Sequence, residues 1–424
     1  MYQYLTDDQI KANYAAAQQA YALVGIDTDK ALKDAAAIPL SLHCWQGDDV
    51  NGFEKATEGL TGGIMSTGNH PGKANNGEQL RADLDVAMSI IPGAKKVNLH
   101  ALYAETEGKK VARDEVGPEH FAKWISWAQK GKFGLDFNPS YFSHPLAADG
   151  LTLSHPDKKV REFWVRNGVQ SRRIASAMGQ ATGQPAVNNQ WIPDGAKDYP
   201  ADRLSPRLRL IESLDAVFAE KFDPKTLVDA VECKLFGIGS ESYVVGSHEF
   251  YTAYAVRKNM ALCLDMGHFH PTETIADKIS ALLPFVPSLL LHVSRPMRWD
   301  SDHVVVYNED VQAVFNEIHR CGAWNKVNVA LDFFDGSINR IMAWSIGARS
   351  ARKAMLSALL EPVPMLKDEE KAGRLGARLA LMEELKNLPL AAVWDKLCLN
   401  QGVATGMNWM NVSDKYETEV LLKR

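Results

Sequence analysis

Three things are scarce in this chain, and each scarcity removes a class of protein. Cysteine is the first. There are five, Cys44, Cys233, Cys263, Cys321 and Cys398, scattered and never spaced as CxxC. In 424 residues this is no disulfide framework; it argues for a reducing compartment and against a thiol metal site. Three of the five fall in expected strands, where cysteine behaves as a small buried apolar residue. Surplus positive charge is the second. With 47 Lys and Arg against 52 Asp and Glu the net charge is −5, which offers nothing to a nucleic acid. Long apolar runs are the third. The longest, 281–293, is broken by Pro284 and Pro287 and is too short to span a bilayer. The opening Met1-Tyr-Gln-Tyr-Leu-Thr-Asp-Asp also lacks the charged and apolar regions of a signal peptide, so the expected location is cytoplasmic, with no membrane partner. No GxSxG, P-loop or Cys/His dyad is visible.

What the chain does have is alternation. Short apolar runs bounded by turn residues recur at 38–45, 96–100, 134–137, 185–191, 229–234, 261–265, 288–293 and 327–332. Such runs fit strands buried on both faces of a parallel sheet. Helical patterns precede and separate them, at 8–36, 78–91, 118–130, 158–182, 205–221, 247–258, 272–282 and 309–320. Eight strand–helix alternations predict an α/β fold, a (β/α)₈ barrel. A doubly wound sheet is the runner-up, but no GxGxxG follows the first strand, and Gly237-Ile-Gly239 lacks the third glycine. The barrel is expected to fill 1–340 with its N-terminal helix. A helical extension over 341–424 is expected to pack on the barrel or on a neighbouring subunit. The segment 51–77 is rich in Gly, Asn and Thr and too long for an ordinary connection, which predicts a lid over the barrel mouth.

Four potential ligands close four successive strands: Glu232, Asp265, His292 and Asp332, separated by 33, 27 and 40 residues. That is about one βα unit each, and active sites of such barrels lie at the C-terminal strand ends. An acidic residue at a strand end is often only the N-cap of the next helix; four in a row with an imidazole point instead to a divalent cation. The residue types suit Mn²⁺, Mg²⁺, Co²⁺ or Zn²⁺. His268 lies one tight turn beyond Asp265, while His270 before Pro271 reads equally as a turn residue. Asp300 and Asp302 follow the seventh strand beside Trp299 and, if extended, point the same way toward a second ion, although Asp-x-Asp alone is also an ordinary solvated turn. Lys234 alternates with Glu232 and should face inward, as a proton shuttle, an oxyanion stabiliser or half of a structural ion pair. Trp45, His100, Asn138 and Trp191 end or flank strands at the same mouth, where rings and amides grip a small polyol. Each of the four is equally at home in a core.

Several of these stretches are long enough to compare with a known family. Val-Glu232-Cys-Lys234-Leu-Phe-Gly-Ile-Gly, Leu-Asp265-Met-Gly-His268-Phe-His-Pro-Thr-Glu, Leu-His292-Val-Ser-Arg-Pro-Met-Arg-Trp-Asp300-Ser-Asp302-His and Leu-Asp332-Phe-Phe-Asp closely resemble the L-rhamnose isomerases. So do Leu-His43-Cys-Trp45-Gln-Gly-Asp-Asp-Val, Asn98-Leu-His100-Ala, Leu-Asp136-Phe-Asn138-Pro-Ser and Trp191-Ile-Pro-Asp-Gly, in the same order from about residue 9 onward. The resemblance implies a (β/α)₈ barrel, a homotetramer, and aldose–ketose isomerisation of L-rhamnose by a metal-assisted 1,2-hydride shift. It implies a structural ion, Zn²⁺ or Mn²⁺, on Glu232, Asp265, His292 and Asp332. It also implies a catalytic ion, usually Mn²⁺, on His268, Asp300 and Asp302, with Asp265 a candidate to serve both. His100, Trp191 and Lys234 would contact the sugar, and Lys234, Asp300 and Asp302 would carry the chemistry. Two other readings of such a barrel stay open: a metal-dependent phosphodiesterase, which the acidic net charge disfavours, and a non-catalytic sugar-binding barrel.

Overall fold

Short runs of leucine, valine and alanine, each stopped by a polar residue, form eight strands in the computed structural model, which describes residues 1–54, 66–235, 242–297 and 300–424. They are β1 Leu40–His43, β2 Lys95–His100, β3 Gly134–Asn138, β4 Ala186–Trp191, β5 Leu227–Glu232, β6 Ala261–Asp265, β7 Leu289–Val293 and β8 Val327–Leu331. Each pairs parallel with the next. β8 returns to β1 through Val329 opposite Leu40 and Ala330 opposite Ser41, which closes the barrel. All eight coincide with the expected runs to within a few residues at each end.

Eight helices follow the eight strands in turn: α3 Gly77–Ser89, α4 Ala122–Gly131, α5 Lys158–Thr182, α6 Leu204–Val217, α7 His248–Lys258, α8 Ala276–Leu282, α9 Glu309–Arg320 and α10 Arg340–Leu359. Side-chain caps start several of them, with Asn76, Asp157, Asn308 and Asn339 each accepting a backbone N–H of the first turn. Successive strand residues face opposite ways. The outward set, including Leu42, Val97, Leu99, Phe137, Leu262, Leu264, Leu291 and Val293, joins the helices in the main core. The inward set includes a small layer of Val187, Ala230, Ala261, Cys263, Leu290 and Ala330. Filling the lower interior with small apolar groups leaves the next inward positions, Glu232, Asp265 and His292, at the C-terminal mouth.

The structure differs from the sequence expectations at three places. The helix expected over 8–36 is two, α1 Asp7–Ala22 and α2 Thr28–Ala37, and the helical extension expected over 341–424 is several helices, among them α11 Val363–Lys371 and α12 Leu375–Glu384. Gly25 and Gly373, at φ +77° and +71°, turn the chain between each pair, as glycine does past a helix end. The third concerns the boundary near 340. Helix α10 packs on β1 and on α9 as the eighth member of the ring. Its Arg352 guanidinium donates to the carbonyls of Ala35, Ile38 and Ala94. We therefore propose that the barrel unit runs to Leu359 and that the added helical layer starts beyond it. Within that layer Val393, Trp394 and Leu397 of α13 (Leu390–Asn400) pack on Tyr14, Ala17 and Tyr21 of α1.

The expected lid falls largely on 55–65, outside the described residues. Its flanks are tied down. Arg340 holds Asp49 with two hydrogen bonds and donates to the carbonyls of His70 and Pro71, and His70 Nε2 lies 2.6 Å from Glu417 Oε1. Gly237-Ile-Gly239 and Trp299 also lie outside the described residues. No helix among the described residues is long and apolar enough to cross a membrane. Cys44, Cys233, Cys263 and Cys398 are buried and Cys321 is exposed, all as free thiols; only Cys263 lies within a strand, while Cys44 and Cys233 follow strand ends directly.

Candidate metal centre

Glu232 and Asp265 are the last residues of β5 and β6, His292 the next to last of β7, and Asp332 the first after β8. Four adjacent parallel strands therefore aim four donors at one point. One donor atom from each of Glu232, Asp265, His292 and Asp332 lies within 4.8 Å of all the others. Asp265, His268 and Asp300 form a second such group, so Asp265 belongs to both. His268 gets there through the turn after β6, with its N–H bonded to the Asp265 carbonyl at 3.3 Å. Asp300 lies between Arg295 and His303, which form an antiparallel bridge beyond β7. Asp302 is the exception among the sequence-derived ligands. It stands close enough to Asp300 and Asp332 for repulsion to add to burial in raising its carboxyl. It joins neither group among the described residues. Its backbone, at φ +45°, turns into the left-handed region rather than continuing extended, so Asp300 and Asp302 do not share a straight strand.

Each of the four carboxylates in these two groups is held through one oxygen. Asn189 donates its amide N–H to Glu232 Oε2, and Glu232 Oε1 has no hydrogen-bond partner. The Gly267 N–H holds Asp265 Oδ1 at 2.6 Å, leaving Asp265 Oδ2 unpartnered. Lys234 donates to Asp300 Oδ2, leaving Asp300 Oδ1. The Trp45 indole N–H holds Asp332 Oδ1 at 3.0 Å, and the other oxygen lies 3.2 Å from His292 Nδ1. Glu232 Oε1 comes within 3.2 Å of His268 Nδ1 and 3.3 Å of His292 Nδ1 without hydrogen-bonding geometry to either. Unpaired polar atoms this deeply buried are costly. Atoms that converge without bonding one another have the arrangement a cation requires, each ligand oriented from behind.

The charge balance agrees. Five carboxylates, from Glu232, Asp265, Asp300, Asp302 and Asp332, meet two imidazoles and one ammonium. Burial by itself would keep His268 and His292 neutral, yet the surrounding carboxylates hold both imidazoles well above their ordinary value. Burial likewise works against the charge on Lys234, and Asp300 and Asp302 overcome it and raise the ammonium. A divalent cation offsets this excess of negative charge, and the oxygen and nitrogen donors fit such an ion.

Beside the centre stand the rings expected to hold a ligand. His100 lies edge-on to Trp45 at 4.8 Å and to Phe142 at 5.5 Å, and Phe142 lies edge-on to Trp191 at 5.6 Å. Burial pushes His100 down to about 4, so it is neutral at pH 7. The Lys234 ammonium sits 5.3 Å from the Trp191 ring centre, and Trp191 Nε1 is buried without a partner. Asn138 departs from the polyol-gripping expectation. It is buried, and its amide N–H groups go to Asn98 Oδ1 at 2.7 Å and the Leu99 carbonyl at 3.2 Å, so its donors are engaged inside the barrel wall.

The sequence reading missed three residues. Asn189 orients Glu232 from β4, two positions before Trp191. Gly267 is needed for space: a Cβ there would lie 2.6 Å from Asp300 Oδ1 and 3.3 Å from Asp265 Oδ1. The signal available was the glycine between Asp265 and His268 itself, read only as part of a turn. Cys263 is the third, a thiol within reach of Glu232 and His292 where composition had argued against one. Gly267→Ala should displace both carboxylates and weaken divalent-cation binding by roughly ten- to a hundredfold, the usual cost of disturbing groups that orient ligands. Calorimetric titration with Mn²⁺ checks this; an unchanged Kd would show that the glycine matters only for the turn.

A closed parallel barrel with this cluster at its C-terminal mouth defines a (β/α)₈ protein with a candidate divalent-cation centre. The family model of L-rhamnose isomerase (RhaA) matches residues 8–424. L-Rhamnose isomerases of Salmonella paratyphi B and Salmonella enteritidis PT4 are each 55% identical over 416 residues, covering 98% of this chain and 99% of theirs. The chain belongs to the L-rhamnose isomerase family. A solved L-ribulose 3-epimerase is similar at a TM-score of 0.45 and 15% identity, covering 72% of this chain and 97% of that one; so loose a likeness has no bearing on the site. Membership of an isomerase family sets aside the phosphodiesterase and the non-catalytic barrel.

Proposed function

We propose that this centre interconverts L-rhamnose and L-rhamnulose, the isomerisation that opens rhamnose catabolism, by a 1,2-hydride shift. The observation that carries the reading is the set of carboxylates each fixed through one oxygen and free at the other. Glu232, Asp265, His292 and Asp332 would hold a structural ion, Zn²⁺ or Mn²⁺. His268, Asp300 and Asp265 would hold a catalytic one, for which Mn²⁺ suits the oxygen-rich set, with Asp302 beside it. When bound, the cations supply Lewis-acid polarisation of the C1 carbonyl and stabilise charge at the sugar oxygens.

The chain's own groups do the rest. Hydride passes from C2 to C1 and a proton from O2 to O1, so the sugar's composition is unchanged. Lys234 is held protonated between Asp300 and the Trp191 ring, which supports a role in stabilising developing negative charge rather than in accepting a proton. Asp300 holds that ammonium and the charge of Asp302 also acts on it, which makes both candidates to orient the moving proton. Neutral His100 can exchange a hydrogen bond with a sugar hydroxyl. Trp45, Phe142 and Trp191 form an apolar wall that excludes water and strengthens each electrostatic contact. Asn138 would act by bracing β3 against β2 rather than by touching the sugar.

Assembly as a homotetramer is supported by apolar surface on α12, which has no buried residue and leaves Leu375 and Leu379 55% and 56% exposed. Five free thiols support a cytoplasmic location. Incubating the purified chain with L-rhamnose and Mn²⁺ should yield L-rhamnulose, resolved by chromatography. No ketose with Mn²⁺, Co²⁺, Mg²⁺ or Zn²⁺ would reject the assignment.

A further inference from the structure

Cys263 lies where the small apolar interior of the barrel meets the layer of carboxylates. On β6 it precedes Asp265 by two residues and faces the same way, in register with Glu232 of β5. Its sulfur, one oxygen of Glu232 and one ring nitrogen of His292 all lie within 4.8 Å of one another. The three residues are 1%, 0% and 2% exposed for Glu232, Cys263 and His292. Glu232 Oε1 and both ring nitrogens of His292 have no hydrogen-bond partner.

A buried thiol against Val187, Ala230, Ala261, Leu290 and Ala330 needs no role beyond packing. What singles it out is position: its sulfur lies within reach of an oxygen and a ring nitrogen that the carboxylate–imidazole centre also uses. We infer that Glu232, Cys263 and His292 form an alternative ligand set for a strongly thiophilic divalent cation such as Cd²⁺. Sulfur, nitrogen and carboxylate together suit such an ion, while Mn²⁺ and Mg²⁺ prefer the oxygen and imidazole set. Coordination releases the thiol proton to solvent. Both sets use Glu232 and His292, so a thiophilic ion seated on Cys263 excludes the ion on Glu232, Asp265, His292 and Asp332. Thiophilic cations should therefore inhibit the enzyme from inside its own metal centre. That consequence rests on the catalytic reading above; the binding itself does not.

The test uses the full chain carrying Cys321→Ser, which removes the exposed thiol, titrated with CdCl₂ after loading with Mn²⁺. A thiolate-to-cadmium charge-transfer band should grow in the ultraviolet as Mn²⁺ is released. Cys263→Ala and Cys263→Ser in the same background should lose the band. Each should also need at least tenfold more CdCl₂ to halve its own uninhibited turnover. Thermal melts report whether both variants fold; if neither does, X-ray absorption at the cadmium edge of the parent still counts sulfur ligands. A band that persists in both variants, no band in the parent, or no sulfur at cadmium overturns the inference. A parent that shows the band but turns over no L-rhamnose with any divalent cation refutes the proposed function instead, and leaves the ligand set standing.

Discussion

Exhaustive dialysis against EDTA will abolish the isomerase activity, and Mn²⁺ will restore it. The centre has no side-chain arrangement able to replace the ion. Glu232 Oε1, Asp265 Oδ2 and Asp300 Oδ1 are buried and unpartnered, and the histidines near Glu232 do not take up hydrogen-bonding positions. Removing the cation therefore leaves carboxylates facing one another in a water-poor cavity, with the polarising charge lost. The melting temperature should fall as well, because an ion that binds only the folded chain adds RT ln(1 + [L]/Kd) to its stability. At a hundredfold excess over Kd that is about 2.7 kcal/mol, a shift of a few degrees for a chain of this size. Elemental analysis must accompany the assay. Full turnover in protein shown to be metal-free would remove the cations from the reaction.

Lys234→Met will cut kcat by about 10² or more, the usual scale for losing a group that stabilises charge in the transition state. Methionine keeps the apolar stem and much of the volume, so little space opens at the site. What disappears is the ammonium between Asp300 and the ring. Asp300 loses a partner but keeps its place in the group with Asp265 and His268. Metal content measured on the purified variant should therefore stay at the wild-type level while turnover falls. A folded variant with normal metal content and normal kcat would return Lys234 to the part of a structural counter-ion for Asp300.

The strand pattern was legible because it is local. A run such as Ala261-Leu-Cys-Leu-Asp265 is apolar on both faces and ends in a ligand, and that is written in consecutive residues. The eight-fold repeat then leaves few topologies other than the closed barrel. Helix ends near Gly25 and Gly373 were less legible, since an apolar periodicity continues past a glycine whose left-handed backbone stops the helix. Helix α10 was read as the start of an extension because the chain turns helical almost to its end after Asp335. Its packing on β1 and α9 supports counting it with the ring.

The sequence by itself determined the chemistry available at the mouth: carboxylates and imidazoles at four successive strand ends, a lysine two residues past one of them, and aromatic rings nearby. Residue type and spacing carry that information, because a strand delivers its last inward side chain to the mouth whatever lies around it. Which oxygen of each carboxylate is free was decided only by tertiary structure. Asn189 reaches Glu232 across the β4–β5 pairing, Trp45 reaches Asp332 over 287 residues, and Lys234 reaches Asp300 over 66. Cys263 became a possible ligand in the same way, through its register with Glu232 rather than through any spacing motif. Hydrogen bonds act over about 3 Å, so their partners are settled by barrel closure and strand register, which no stretch of sequence contains.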